Sequence, residues 1–450
     1  VTGRIIDSFP QTRQLPVRAV RLGLRARIFS GGTPDKSNLD FWTDGDLPWI
    51  GSGEVNQKTI TVPTAYITRE AVRGSATRLF PAMTVAMALA GQGKTKAMVA
   101  TMGTAAYGNQ SLACIADYDG DSKFLFWWLT SLYREIRGLS SQDTRDGLNQ
   151  AMVGQIPVPD FELETQRAIA SFLDHETARI DQLIEKKLRL VELLVAKQET
   201  YRDTAVCKGL VEQVLYKESG VDWFGQVPEH WAVCRFNRLI SSKVDYRGRT
   251  PEKVDDGVFL VTARNIRPGK IDYERSQEFT TQEDWDKLSA RGKPSIGDVL
   301  FTTEAPLGNV AQVDRTDVAY AQRIMKFRAN ERLVSNNFLA ELMMSASFQR
   351  SLNLYASGST ASGIKSERFA HLFGLIPPPD EQEEIVRAIR EHIKRVDAVI
   401  EPLQRSIDRS REFRSALITA AVTGQINVAS WCKRGETDRR LDQIQEAMSA

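Results

Sequence analysis

Gln166, Ile169, Arg179, Asp181, Ile184-Glu185, Arg189 and Ala205-Val206 recur 216 residues later as Gln382, Ile385, Arg395, Asp397, Ile400-Glu401, Arg405 and Ala421-Val422. Chance matches between unrelated segments do not hold one offset without a gap from 166 to 206, so the chain is a duplication with a period far longer than any solenoid unit. The same plan extends upstream. Ile156-Pro157-Val158-Pro159-Asp160 matches Ile376-Pro377-Pro378-Pro379-Asp380, and Gln110-Ser111-Leu112 matches Gln322-Arg323-Ile324. Trp49-Ile50, Val55 and Ile60 match Leu260-Val261, Ile266 and Ile271, and Gly31-Gly32-Thr33-Pro34-Asp35-Lys36 matches Gly248-Arg249-Thr250-Pro251-Glu252-Lys253. Each half therefore has one grammar: short apolar runs broken by Gly, Pro and Asn turns, then a Pro-rich stretch, then a long helix.

The helices carry the clearest periodicity. The first is predicted over about 164–208, with Ile169, Leu173, Ile180, Leu183, Leu190 and Leu194 as a heptad-like seam interrupted by Glu176, Lys187 and Lys197. The second is predicted over about 381–422, with Ile385, Ile389, Ile393, Val396, Ile400, Leu403 and Ile407 as its stripe. The prolines at 157, 159 and 377–379 bar helix before those points, Asp380 stands as an N-cap, and Gly209 and Gly424 mark the ends. Pro402 is expected to bend or interrupt the second helix. At 1.5 Å per residue each helix spans roughly 60 Å. A seam of that length needs a partner. The other copy is the simplest one, so an antiparallel pair is expected, with packing of each helix on its own domain as the alternative.

The bulk composition narrows the function classes. With 450 residues, 42% hydrophobic and 26% charged, the chain has the makeup of an ordinary folded protein of several domains rather than a disordered or fibrous one. Cys114, Cys207, Cys234 and Cys432, and His175, His230, His371 and His392, are scattered without metal-ligand spacing, so no metal site is expected and the thiols are read as structural. No apolar run reaches the ~20 residues of a membrane span, and Val1-Thr2-Gly3-Arg4 leads into no signal-like segment, which places the chain in the cytoplasm by expectation. A net charge of +2 does not by itself point to nucleic acid.

Several local strings resemble the specificity subunit of Type I restriction–modification systems. Ser219-Gly220-Val221-Asp222-Trp223-Phe224-Gly225 with Pro228-Glu229-His230-Trp231 is similar to that family's lead-in to a recognition domain. Thr33-Pro34 with Leu47-Pro48-Trp49-Ile50 resembles the start of the first such domain. The two Pro-rich stretches with Gln166 and Gln382 resemble its approach to two conserved helices, and Val422-Thr423-Gly424-Gln425-Ile426 its exit. The resemblance covers about 1–426. It implies an α+β architecture: two mixed α/β target-recognition domains joined by two long antiparallel, coiled-coil-like helices, with a pseudo-two-fold internal repeat. The expected division is domain one over 1–160, a spacer helix over 161–210, domain two over 211–379, a second spacer helix over 380–426, and a tail over 427–450 that holds Trp431, Leu441, Ile444 and Met448.

The resemblance also implies a non-catalytic chain that reads a bipartite, asymmetric double-stranded DNA target. Two methyltransferase (modification) subunits would dock on it, with restriction subunits where present. No cofactor is expected in this chain; S-adenosylmethionine belongs to the partner methyltransferase subunits. The residues fit such a division, since different readers suit different half-sites.

Candidate DNA contacts beside Gly- or Asn-containing turns are Arg69, Arg73, Lys94, Lys96 and Arg145 in the first half. In the second half they are Arg247, Arg249, Arg264, Arg267 and Lys365, and the loops 138–147 and 357–365 carry groove-suited small polar residues. For any single arginine a solvated surface is the competing reading. Two other function classes stay open at this point. Ala88-Leu-Ala-Gly-Gln-Gly93-Lys94-Thr95 approaches a phosphate-binding loop, which would make the chain a P-loop ATPase with a helical arm. Alternatively the helices serve a scaffold that binds no DNA. The turn Phe80-Pro81-Ala82-Met83-Thr84 departs from its counterpart Ser295-Ile296-Gly297-Asp298-Val299, so its geometry is expected to differ.

Overall fold

The computed structural model describes residues 8–91, 93–139, 147–211, 213–247, 251–356 and 363–428. The chain divides into two compact units. One comprises 1–187 and 405–450, the other 188–404, so both boundaries fall within long helices. The tail residues Trp431, Leu441, Ile444 and Met448 lie outside the described residues.

The two units are built on the same topology. In the first, the central sheet runs in the order Arg27–Ser30, Leu112–Ala116, Val85–Ala88, Val99–Met102, Thr59–Ile60. In the second, the corresponding order is Ile240–Asp245, Ile324–Ala329, Val299–Thr302, Val310–Gln312. A second small sheet in each unit contains one parallel pair. Trp49 lies opposite Tyr107 in one unit and Leu260 opposite Ala319 in the other. The short apolar runs are fully buried strands such as Leu112–Ala116 and Val299–Thr302, which explains their continuous rather than alternating hydrophobicity. A two-stranded antiparallel ribbon closes each domain: Ala19–Arg21 with Pro157–Pro159, and Ala232–Arg235 with Phe373–Ile376.

The ribbons correct the alignment of the Pro-rich stretches. Pro157 and Pro159 are inside the closing strand, whereas Pro377–Pro379 come after its counterpart. Prolines are tolerated in such a strand because the ribbon has only two strands and the outer side of each needs no partner. The true equivalence follows the helix offset. Gln166 Nε2 donates to the Phe161 carbonyl at 2.8 Å, and Gln382 Nε2 donates to the Pro377 carbonyl at 2.9 Å. Both glutamines are buried, and each accepts a backbone N–H from the N-cap residue of the domain's apolar helix. That residue is Asp121 in one unit and Ser335 in the other, each at 2.9 Å. This amide is the joint between each domain and its long helix.

The long helices run Leu163–Lys208 and Pro379–Val422. Gly209 (φ +75°) and Gly424 (φ +73°) end them in the left-handed conformation. The second begins two residues earlier than expected. Pro379 opens its first turn, where a missing N–H costs nothing, and Asp380 is a first-turn acid rather than an N-cap. Of the bend or interruption expected at Pro402, the interruption does not occur: the helix passes through this exposed residue unbroken.

Within each unit the two helices are antiparallel. In the first unit Arg414 donates to Asp181 at 2.8 and 3.1 Å, and Lys187 Nζ donates to Ser406 Oγ (2.8 Å) and Ser410 Oγ (3.3 Å). In the second unit Gln198 donates to Asp397 at 2.9 Å, and Tyr201 stacks on His392 with centroids 4.0 Å apart. Residues 198 and 397 are the 216-offset counterparts of 414 and 181, so the duplication reproduces one cross-helix bond. Each domain core also takes in both helices, so both expected packings occur together. Ile169, Leu173, Ile180, Leu417 and Ala421 join the first core, and Ala205, Val206, Ile385 and Ile389 join the second.

The seam of the first helix differs from its sequence reading at two positions. Leu183 and Leu190 are 48% and 43% exposed. The covered positions are Leu173, Thr177, Ile180, Ile184, Lys187, Val191, Leu194 and Gln198, which alternate strictly by four and three residues. Lys187, read as an interruption, is on the seam, where its ammonium is satisfied by two serines. The stripe of the second helix places Ile389, Val396 and Ile407 in buried positions and leaves Ile400 and Leu403 half-buried.

Candidate nucleic-acid interface

The sequence-derived candidates occupy several different surfaces. In the first unit Arg69 and Arg73 are exposed on the five-residue helix Arg69–Arg73, capped by Thr68. Lys94 is exposed and Lys96 half-buried on the turn between Val85–Ala88 and Val99–Met102. Tyr133 and Arg137 pin that turn by donating to the carbonyls of Gly93, Lys94 and Lys96. A strand, not a helix, follows Lys94, and it pairs antiparallel with the strand before it. The phosphate-loop reading fails on this point, since it needs a helix N-terminus aimed at the phosphates. Arg145 lies outside the described residues.

In the second unit Arg247 is committed to its own chain. Its guanidinium holds both oxygens of Asp245 and reaches the Ile364 carbonyl at 3.4 Å. Burial alone would raise the Asp245 carboxyl, but the bonds from Arg247 outweigh it and hold the pKa below its ordinary value. Arg267 belongs to a small hairpin with Lys270, three residues after Arg264. Lys365 is exposed at the start of the short helix Ser366–His371. Arg249 lies outside the described residues, as do most of the loops 138–147 and 357–365. The flanks of those loops are equivalent: Leu148 N–H donates to the Leu89 carbonyl and Ile364 N–H to the Thr303 carbonyl.

A cleft beside the Arg264 turn gathers three basic side chains. It has a volume of about 250 Å³ and is lined by Lys253, Thr262, Arg264, Ala305, Gln322 and Arg323, among others. Arg264 is exposed on a turn pinned by Asn265, which is fully buried. Asn265 Oδ1 accepts the Thr262 N–H (2.8 Å), and its Nδ2 donates to the carbonyls of Asp272 and Ser276. Arg323 has φ +78° and ion-pairs with Glu304 at 2.9 Å. Sequence reasoning named Arg264 but missed Lys253 and Arg323. The available signal was the repeat itself, where Arg323 stands against Ser111.

The equivalent platform in the first unit has Gly53 and Ser111 where the second has Arg264 and Arg323. Glu54 Oε2 accepts the Gly51 N–H at 2.8 Å, as Asn265 does for Thr262. That correspondence sets Gly53 against Arg264. The first unit instead has an aromatic groove of about 510 Å³ between Phe126, Trp127, Tyr133 and Arg414. Lys58 lies 4.6 Å from the Trp127 ring centroid, and burial pushes its ammonium pKa down. Among the described residues no His/Cys/Asp/Glu group could hold a metal ion, and no helix is long and apolar enough to cross a membrane.

Comparison with known proteins adds the following. The family model of the Type I restriction modification DNA specificity domain matches residues 20–193 and again 252–406. The specificity subunit of the Type I restriction enzyme MjaVIII from Methanocaldococcus jannaschii is 24% identical over 318 residues, 68% of this chain and 71% of that one. The specificity subunit of EcoR124I/EcoR124II from Escherichia coli is 26% identical over 188 residues, and the match spans 46% of its length. A chain solved in work on complex assembly and conformational transition of the type I R-M system superposes with a TM-score of 0.67 at 14% identity. That superposition covers 91% of this chain and 99% of the other and bears on the fold.

Proposed function

Since the chain belongs to the Type I restriction modification DNA specificity family, matched twice along its length, we propose that it reads a bipartite, asymmetric double-stranded DNA target, one half-site per domain. Its relatives are specificity subunits, the sequence-reading rather than catalytic components of such systems. The observation that carries the finer reading is the pairing of one scaffold with two sets of side chains. The Asn265 and Glu54 turns are built alike, yet one presents Arg264 and the other Gly53. Duplicate readers with different surfaces suit two different half-sites, as identical ones suit a palindrome.

The long helices serve as the spacer and as the docking surface for two methyltransferase subunits, and for restriction subunits where these exist. Support comes from the apolar side chains that the seam leaves over: Leu190, Leu193 and Val195 are exposed on the first helix. S-adenosylmethionine is expected in the partner subunits, none in this chain, and the assembly is expected in the cytoplasm with the DNA it modifies. Basic candidates outside the cleft, such as Arg69, Arg73 and Lys365, are assigned to phosphates, where they add affinity that falls with salt but no sequence preference.

The test is methylation mapping in a host that co-expresses this chain with its methyltransferase subunit. A split, asymmetric motif that disappears when this chain is omitted is the expected result. An active methyltransferase whose motif does not depend on this chain would overturn the reading.

A further inference from the structure

We propose that Arg264 and Arg323 read guanine in the half-site of the second domain, with Glu304 positioning Arg323. This rests on the DNA-reading assignment above and adds the chemistry of one half-site. Both guanidiniums line the same cleft, which also holds Gln322 and the Lys253–Glu278 ion pair. Arg264 has no hydrogen-bond or ion-pair partner among the described residues, yet its turn is fixed by the four hydrogen bonds of buried Asn265. A rigid base under an unengaged guanidinium is the arrangement that a planar, bidentate donor needs to select a partner by geometry.

Arg323 shows a second, independent sign. It is one of the few non-glycine residues with a left-handed backbone, and its carbonyl is held there by the Thr303 N–H at 2.8 Å. Ala305, across the same cleft, is left-handed too, at φ +44°. Residues kept in this region without being glycine concentrate where a side chain must be aimed. What Arg323 is aimed at in the free chain is the Glu304 carboxylate, 2.9 Å away. Both groups are about half exposed, so a base edge can compete for the guanidinium.

The acceptor pair that fits this fork in the major groove is guanine O6 and N7. Phosphate would accept the same donors, but it would call for no fixed platform and no strained presentation. The first domain supplies the internal contrast: Gly53 and Ser111 stand at the two positions, so its half-site is read by other means.

The experiment maps the methylated motif of the full complex carrying Arg323→Ala, Arg264→Ala, Arg323→Gln or Glu304→Gln. Each arginine-to-alanine variant is expected to relax one position of one half-site, a guanine in the wild-type motif, by roughly ten- to hundred-fold, leaving the other half-site intact. Arg323→Gln is expected to shift that position towards adenine, the base that Gln pairs bidentately. Glu304→Gln is expected to weaken discrimination at the position of Arg323 and at no other. If an alanine variant fails to assemble with the methyltransferase, the glutamine variant decides. Variants that assemble and keep the wild-type motif overturn the proposal, as does relaxation at a position other than guanine or equally at both half-sites, the mark of a phosphate contact. A wild-type chain that directs no motif overturns the DNA-reading assignment itself. A wild-type motif without guanine in the affected half overturns this inference alone.

Discussion

At the same place in the two central sheets, the first unit buries a hydroxyl against a thiol and the second buries an ion pair. Thr84 Oγ1 lies 3.5 Å from Cys114 Sγ in one. In the other, Asp298 accepts from Lys326 Nζ at 3.0 Å, from Arg328 at 2.7 and 2.8 Å, and from the Ser295 N–H at 2.9 Å. The strand register makes 84 the counterpart of 298 and 114 the counterpart of 326. The preceding turn is the same in both, left-handed at Met83 (φ +64°) and at Gly297 (φ +86°), although their sequences differ. The turn expected to diverge therefore keeps its backbone, and the chemistry behind it diverges. The fold needs those two positions to satisfy each other and does not prescribe how.

The two solutions fail differently. Asp298→Ala strands the ammonium of Lys326, 2% exposed, and is expected to destabilise the second unit by about 3–5 kcal/mol. Thr84→Val leaves the Cys114 thiol and the Pro81 carbonyl, but no charge, unmatched and is expected to cost the first unit about 1 kcal/mol. Hydrogen exchange resolved by unit in the intact complex checks both, and equal losses would break the contrast. Burial would raise the Asp298 carboxyl, but Arg328, the Ser295 N–H and Lys326 outweigh it and hold its pKa below the ordinary 3.8. A depressed carboxyl stabilises the fold above its unfolded value, and that contribution is lost as pH falls through the folded one. On acidification below about pH 4 the second unit is thus expected to lose protection through a group that the first lacks.

Next in size are the glutamine joints, which the two units share. Gln166→Ala leaves an N-cap N–H and the Phe161 carbonyl unmatched, Gln382→Ala an N-cap N–H and the carbonyls of Leu333 and Pro377, and each is expected to cost about 1–3 kcal/mol. Near-equal losses by thermal unfolding would sharpen the view that the joints are one device used twice, and unequal ones would break it. The smallest effects separate the two faces of the first helix. Leu183→Ala is expected to change stability by no more than about 0.5 kcal/mol and Ile184→Ala by about 1–2 kcal/mol. If Leu183 bears on partner docking instead, its variant lowers methyltransferase retention on size-exclusion chromatography with stability unchanged.

These positions also show what could be read before any coordinates. The duplication was legible because the helices have no insertions, so Gln166 and Gln382 kept their offset while the loops around them drifted. The helix phase was legible to within one residue. Counting leucines favours Leu183 and Leu190, but strict four–three spacing from Ile180 selects Ile184 and Val191, and a lysine fits that seam when serines face it. The Pro-rich stretches misled by four residues, because proline looks the same in a closing strand as in the segment after one. The cleft was half legible. Arg264 announces itself as a charged residue on a turn, but a left-handed φ at Arg323 leaves no trace in composition. Asp298 and Lys326, 28 residues apart, meet only through the sheet.

The closing ribbons have one more consequence. Ala19–Arg21 against Pro157–Pro159, and Ala232–Arg235 against Phe373–Ile376, hold the incoming and outgoing strands of each domain about 5 Å apart. Everything between is a loop tied off at its neck, joined to the helical framework at the neck, at the Gln166 and Gln382 joints and through the helix side chains in each core. A change of length in a loop that touches neither the neck nor those joins is therefore not transmitted to the stem. A reader exchanged at the neck keeps the helices in phase when it brings its own cap residue for the glutamine joint, as Asp121 and Ser335 do here, and its own match to the helix side chains in the core.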